Sequence, residues 1–274
     1  SAGQTLNTGS NSLSVTSSDI TLGAVSAINS GTATLLASQS GQNIGLGLGT
    51  GSFSLNNTEL SQITATSLTV GNSTNGTITV DNVTSFSGPL TLNATGAGSA
   101  INFSGIASSG LGDITLNAGT GGINFGIDAA ITGTISLSTL GTGNVTVLSN
   151  NNLKLGTSTI GGALDVTVGG DNSLNVNGAI QTGGNSSLRA DNDIIFTAAG
   201  DITTTSGNIV VAADNDSDNN GSGIVQIGHS GMSAMISVYP LEGRWRVFAS
   251  TLAVVGRVPG LGCDGDDDAV VAPL

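Results

Sequence analysis

The chain has 274 residues and a mass of 26.6 kDa, with 43 Gly, 8% charged and 3% aromatic residues and a formal net charge of −13. So acidic a surface repels phosphate backbones and anionic bilayers, which excludes a nucleic-acid-binding role built on Lys/Arg contacts. No apolar run approaches the ~20 residues of a membrane helix, so no membrane insertion is expected. A hydrophobic fraction of 38%, spread evenly, is too high for a disordered linker. Cys263 is the single cysteine, so no intramolecular disulfide framework exists. The chain starts at Ser1 without Met or a basic, apolar leader, and reads as a processed form or an excised fragment.

From the first residues onward the chain is punctuated by short apolar-polar-apolar triplets between Gly/Ser/Asn/Thr turns. Leu13-Ser14-Val15, Ile20-Thr21-Leu22, Ile44-Gly45-Leu46 and Phe53-Ser54-Leu55 are strand candidates of this kind. Residues 24–37 could form a short helix, but Gly31 and the β-branched Thr32 and Thr34 favour strand-turn-strand. The stretch Thr58 to Val80 holds the clearest unit, Leu68-Thr69-Val70 and Ile78-Thr79-Val80 joined by a turn from Gly71 to Gly76. Side chains alternate across a strand, so Leu68, Val70, Ile78 and Val80 should point inward and Thr69 and Thr79 outward.

Triplets then recur about 10.6 residues apart up to Leu174. Two types alternate. Leu90-Thr-Leu-Asn-Ala94 returns as Ile114-Thr-Leu-Asn-Ala118, and Ile101-Asn-Phe103 returns as Ile123-Asn-Phe125. The repeat is therefore a coil of roughly 20 to 24 residues with at least two strands. One coil buries five or six aliphatics at ~1.5–3 kcal/mol each, too little against ~1–2 kcal/mol per ordered residue. Burial must be shared between stacked coils, as in a right-handed parallel β-helix, or β-solenoid, over residues 1–228. A β-sandwich competes, kept open by the Asn-Gly pairs at Asn75, Asn177 and Asn220.

Composition changes at His229. Residues 229–274 hold the only His, Tyr, Trp and Cys, both Met, three of four Pro and three of five basic residues. This segment reads as a cap or an intersubunit junction, with Arg244-Trp-Arg-Val-Phe-Ala249 alternating as a strand. Arg244, Trp245, Arg246 and Phe248 are its candidate interface residues.

Three groups of residues carry a family resemblance. They are Glu59-Leu60-Ser61-Gln62-Ile63-Thr64-Ala65 with Leu68–Gly71 and Gly76–Val80, then Gly207–Asp214, then Arg244–Ser250. These stretches resemble large bacterial surface proteins of the filamentous haemagglutinin type. The resemblance implies a secreted right-handed β-helix, exported through a Gram-negative outer membrane and used in attachment, aggregation or biofilm. The family's N-terminal secretion motif, of Asn-Pro-Asn-Gly type, is absent from this sequence.

For chemistry, Asp214-x-Asp216-x-Asp218-x-Asn220-Gly221 offers alternating oxygens before a Gly, the pattern a calcium loop requires, although no bidentate acid follows as in an EF-hand. A polysaccharide-active β-helix enzyme would need clustered carboxylates with a base, and Lys154 and Arg189 are the only basic residues of the repeat region. His229 and Cys263 have no triad setting, and no catalytic residue is assigned. Thr-x-Thr pairs starting at Thr32, Thr64, Thr77, Thr132, Thr157 and Thr203 share no coil period and predict no continuous face. The expectation is a non-enzymatic extracellular β-solenoid, adhesive or structural, on a bacterial surface. Its expected partners are glycans or proteins of a host or surface. The alternative is a filament subunit joining copies of itself end to end, since ~10 coils at ~4.8 Å make a rod of only ~50 Å with unpaired strand edges at its ends.

Overall fold

The computed structural model describes residues 3–215 and 223–227, apart from 24, 87, 106–108 and 127–129, together with the backbones of 236–241 and 244–249. Strands of three to five residues dominate, each a triplet or a slightly longer version of one. Valine, Ile, Leu and Phe occupy alternate positions, and Thr, Asn or Ser stands between them. That alternation suits one buried and one solvated sheet face.

The strands stack as a parallel β-solenoid of about nine turns. A first sheet of 14 strands runs from Thr5–Asn7 through Ala27–Ala37, Ile63–Asn72, Leu90–Ala94, Ile114–Ala118 and Ile135–Thr139 to Val225–Ile227. A second, of 11 strands, runs from Phe53–Leu55 through Ile44–Gly47, Ile78–Asp81, Ala100–Phe103, Gly122–Phe125, Val145–Ser149, Leu164–Val168, Ser186–Ala190 and Ile209–Ala212 to Arg244–Ala249 and Ile236–Leu241. The two triplet types of the sequence are these two sheets. Coil length follows from the register and is not constant, being shorter where Val145 lies on Leu164 than where Leu90 lies on Ile114. The β-sandwich alternative fails because every described pairing from Thr5 to Ile227 is parallel.

Register places like on like. Val70 faces Leu92, Leu92 faces Leu116, and Leu116 faces Leu137, all fully buried. Opposite them Val80, Phe103, Phe125, Val147, Val166, Leu188 and Val211 form a second continuous column. Phe103 and Phe125 stack with ring centroids 4.0 Å apart and planes 11° from parallel, since identical residues at identical strand positions must lie face over face. The expected orientation of Leu68, Val70, Ile78 and Val80 holds, and Thr69 and Thr79 point outward.

Four details differ from the sequence expectations. Residues 27–37 form one unbroken 11-residue strand instead of strand-turn-strand. Thr5–Asn7 lies on its first part and Leu13–Ser17 on its last, and the turn between them crosses at Gly31. A Cβ at Gly31 would stand 2.1 Å from the Ser10 carbonyl oxygen, so this Gly admits a crossing chain and does not start a turn. Ile20-Thr21-Leu22 forms no strand. A short helix, Asn57–Ser61, follows Phe53–Leu55, capped reciprocally by Asn56 Oδ1 accepting from Glu59 N at 3.1 Å and Glu59 Oε2 accepting from Asn56 N at 2.9 Å. Beyond Ile135–Thr139 the first sheet divides, with Leu153–Leu155 and Ser158–Ile160 replacing one strand.

In the C-terminal segment, Arg244–Ala249 is a strand, paired antiparallel with Ile209–Ala212 on one side and Ile236–Leu241 on the other. The second sheet thus ends in a change of strand direction.

Two outcomes test this architecture. Leu116→Ala opens a void in a column closed above and below, and should lower stability by about 2–5 kcal/mol in urea unfolding. Gly31→Val forces its side chain into the Ser10 carbonyl and should cost about 1–3 kcal/mol, with the loss confined, in hydrogen exchange, to the amides of Thr5–Asn7 and Leu13–Ser17.

Candidate functional site

The register that aligns the core also aligns what points away from it. On the first sheet Ser14, Thr34, Thr69, Thr91, Thr115 and Ser136 face one another from coil to coil. A second column two residues along holds Asn93, Asn117, Ser138, Thr159, Gln181 and Thr203. Members of a column are about 4.8 Å apart, and the columns are separated by about 6.6 Å, twice the strand rise. None of these twelve side chains carries a charge. Within the second column Asn117 Nδ2 donates to Asn93 Oδ1 at 2.7 Å, an amide ladder that fixes both side chains in the plane of the face.

At one edge of this face, where strands of the first sheet turn toward the second, lies a groove of about 460 Å3 lined by residues of three successive coils, among them Asn43, Thr74, Asn75 and Ser99. Its walls are held by side-chain bonds to backbone. Asn72 Oδ1 accepts from Thr74 N and Asn75 N, both at 2.8 Å, and Asn43 Oδ1 accepts from Thr77 N at 3.0 Å. Ser99 Oγ donates to the Asn75 carbonyl at 2.9 Å, tying one coil to the next. The groove is lined by Ser, Thr, Asn, Gly and Ala without a charged side chain, and it offers hydroxyl, amide and backbone groups to a ligand with the same kinds of group.

On the second sheet the matching outward column is Thr79, Asn102, Asn124, Thr146, Asp165 and Ser187. Charge enters at Asp165, whose Oδ1 accepts from Arg189 Nη1 at 2.8 Å. Both partners are substantially exposed, so the pair contributes little to stability. Lys154 lies on the first sheet and Arg189 on the second, so the two basic residues of the repeat region sit on different faces. Among the described residues no group of three or more His, Cys, Asp or Glu could hold a metal.

Of the residues expected to ligate calcium, only Asp214 is described; Asp216, Asp218 and Asn220 lie outside the described residues. Asp214 takes a φ of 55°, just after the strand Ile209–Ala212, and among the described residues its buried Oδ1 has no hydrogen-bond partner. Arg244, Trp245, Arg246 and Phe248 lie on the antiparallel strand already described, their side chains outside the described set. His229 and Cys263 also lie outside it.

The hydroxyl columns were not foreseen from the Thr-x-Thr pairs, which are scattered. The signal was the single polar residue at the centre of each triplet, at Thr69, Thr91, Thr115 and Ser136, whose spacing is the coil length. No protein-family model, curated protein or solved structure matches the chain, and what the structure supports is a fold compatible with a β-helix repeat protein.

Proposed function

We propose that the chain is a non-enzymatic, extracellular β-solenoid of a bacterial surface or biofilm matrix, adhesive through its lateral face. The observation that carries this reading is the pair of uncharged, in-register columns on the first sheet, beside an uncharged groove. A repeating array of hydroxyls and amides matches a repeating hydroxylated polymer, and many weak contacts at fixed spacing add up by avidity. The net charge of −13 disfavours anionic polymers and favours neutral glycans as the partner. No aromatic residue stands in either column, so affinity would come from multiplicity and not from stacking on sugar rings.

Beads coated with the chain should adhere to neutral glycan surfaces. The triple variant Thr91→Val, Thr115→Val, Ser136→Ala removes three outward hydroxyls without placing like charges beside one another in the column, so it should melt close to the parent yet adhere about tenfold less, as expected when a multivalent face is interrupted. Equal adhesion by parent and variant would overturn the lateral-face reading.

End-to-end filament formation is the second reading. It is favoured by the strands Thr5–Asn7, Leu13–Ser17 and Phe53–Leu55, each paired on one side only among the described residues. Negative-stain images at high concentration should then contain rods much longer than one chain, and isolated short rods alone would exclude it.

A further inference from the structure

In a regular solenoid the strand Leu13–Ser17 would be followed by a strand of the second sheet lying on Ile44–Gly47. Ile20-Thr21-Leu22 has the required pattern and precedes Ile44 by one coil length, the same separation as that of Leu90 from Ile114. That position is taken instead by Phe53-Ser54-Leu55, which comes later in the chain, doubles back and pairs in register Ile44 with Phe53 and Leu46 with Leu55. Phe53 and Leu55 are fully buried, whereas Ile20 and Leu22 are only partly so.

The displaced segment is held by side chains in place of a ladder. Asp19 Oδ1 accepts from Ser54 N at 2.9 Å, and Glu59 Oε1 accepts from Leu22 N at 3.2 Å. Gln62 Nε2 donates to the Gly23 carbonyl at 3.0 Å, and Gln42 Nε2 donates to that of Ser18. Beside it lies a cavity of about 330 Å3 whose lining includes Leu6, Val15, Ile20, Leu22 and Ile28. The doubling back is itself possible only because the chain returns across the outside of Ile44–Gly47, where a Cβ on Gly45 would stand 2.1 Å from the Gly49 carbonyl oxygen.

We propose that Phe53–Leu55 and Ile20–Leu22 are alternative occupants of one sheet edge, so that the N-terminal coil contains a strand-exchange switch. In the second state Ile20 pairs with Ile44 and Leu22 with Leu46, completing the coil in sequence order. Phe53–Leu55 then leaves the sheet, and residues 48–56 project from the shaft as a loop anchored by the helix Asn57–Ser61, whose Leu60 is buried. The two arrangements use the same apolar-polar-apolar pattern on the same edge, and the switch is a choice between two packings of one sequence. Its outcome decides whether this stretch of the shaft is smooth or bears a projecting segment.

Hydrogen exchange on the full 274-residue chain tests it. Gly45→Ala blocks the returning chain while leaving the edge of Ile44–Gly47 free. Phe53→Ser with Leu55→Ser removes the apolar anchors of the observed state by a different route. In each variant the amides of residues 53–55 should lose protection by about tenfold or more, and those of residues 20–22 should gain it. The amides of Leu90–Ala94 serve as the folded reference. Adding Ile20→Ser and Leu22→Ser to Gly45→Ala should abolish the gain. Loss of protection at 53–55 with no gain at 20–22, in either variant with the reference intact, would overturn the exchange. Unchanged protection at both segments in Gly45→Ala would overturn the steric basis assigned to Gly45, and with it the proposal.

Discussion

Backbone pairing between successive coils, parallel and in register, is the interaction on which the rest of this structure depends. Each coil lacks the apolar area to fold alone, and each presents N–H and C=O groups along the solenoid axis that must be matched. Stacking answers both needs at once, because a register that pairs Leu92 with Leu116 in the core also closes the ladder around them. The same constraint explains the side-chain chemistry. Positions facing inward must repeat in size, and small aliphatics with an occasional stacked Phe fill a narrow interior without the strain that larger, varied residues would bring.

Register also organises the surface. A polar residue at the centre of a triplet has no local reason to meet its counterpart a coil away, yet the ladder brings Thr69, Thr91, Thr115 and Ser136 into a line. An uncharged face of this kind is rigid, since its spacing is that of the backbone and its amides are partly bonded to one another. The functional proposal rests on this property. Recognition by repeated weak contacts needs positional order more than it needs any single strong group.

Departures from the repeat are as informative as the repeat itself. The coil lengthens between Ile44 and Ile78, where the returning strand and the capped helix are accommodated, and again between Ile194 and Val225, where the acid-rich segment is inserted. Insertions at turns leave the ladder on either side intact, so a solenoid can carry local features without losing its core. At the first of these, the inserted strand takes the edge that Ile20–Leu22 would occupy in a regular coil. Phe53 holds it here and is fully buried, while Ile20 is only partly so.

Much of the fold was legible in the chain. The alternation at Leu68-Thr69-Val70, the two triplet types and their regular returns specify strand, face and coil, because side-chain period and coil length are properties of local sequence. The short helix obeys a local rule as well, the Asn56–Glu59 capping box, although a single turn leaves no helical periodicity to read. What the sequence could not decide are matters of contact between distant segments. Gly31 reads as a turn in isolation, and becomes mid-strand because another turn of chain crosses it. Ile20–Leu22 and Phe53–Leu55 are equivalent as patterns, and only three-dimensional competition for the edge of Ile44–Gly47 assigns one to the sheet. The alignment of the outward hydroxyls belongs to the same class, since it exists only once the register between coils is fixed.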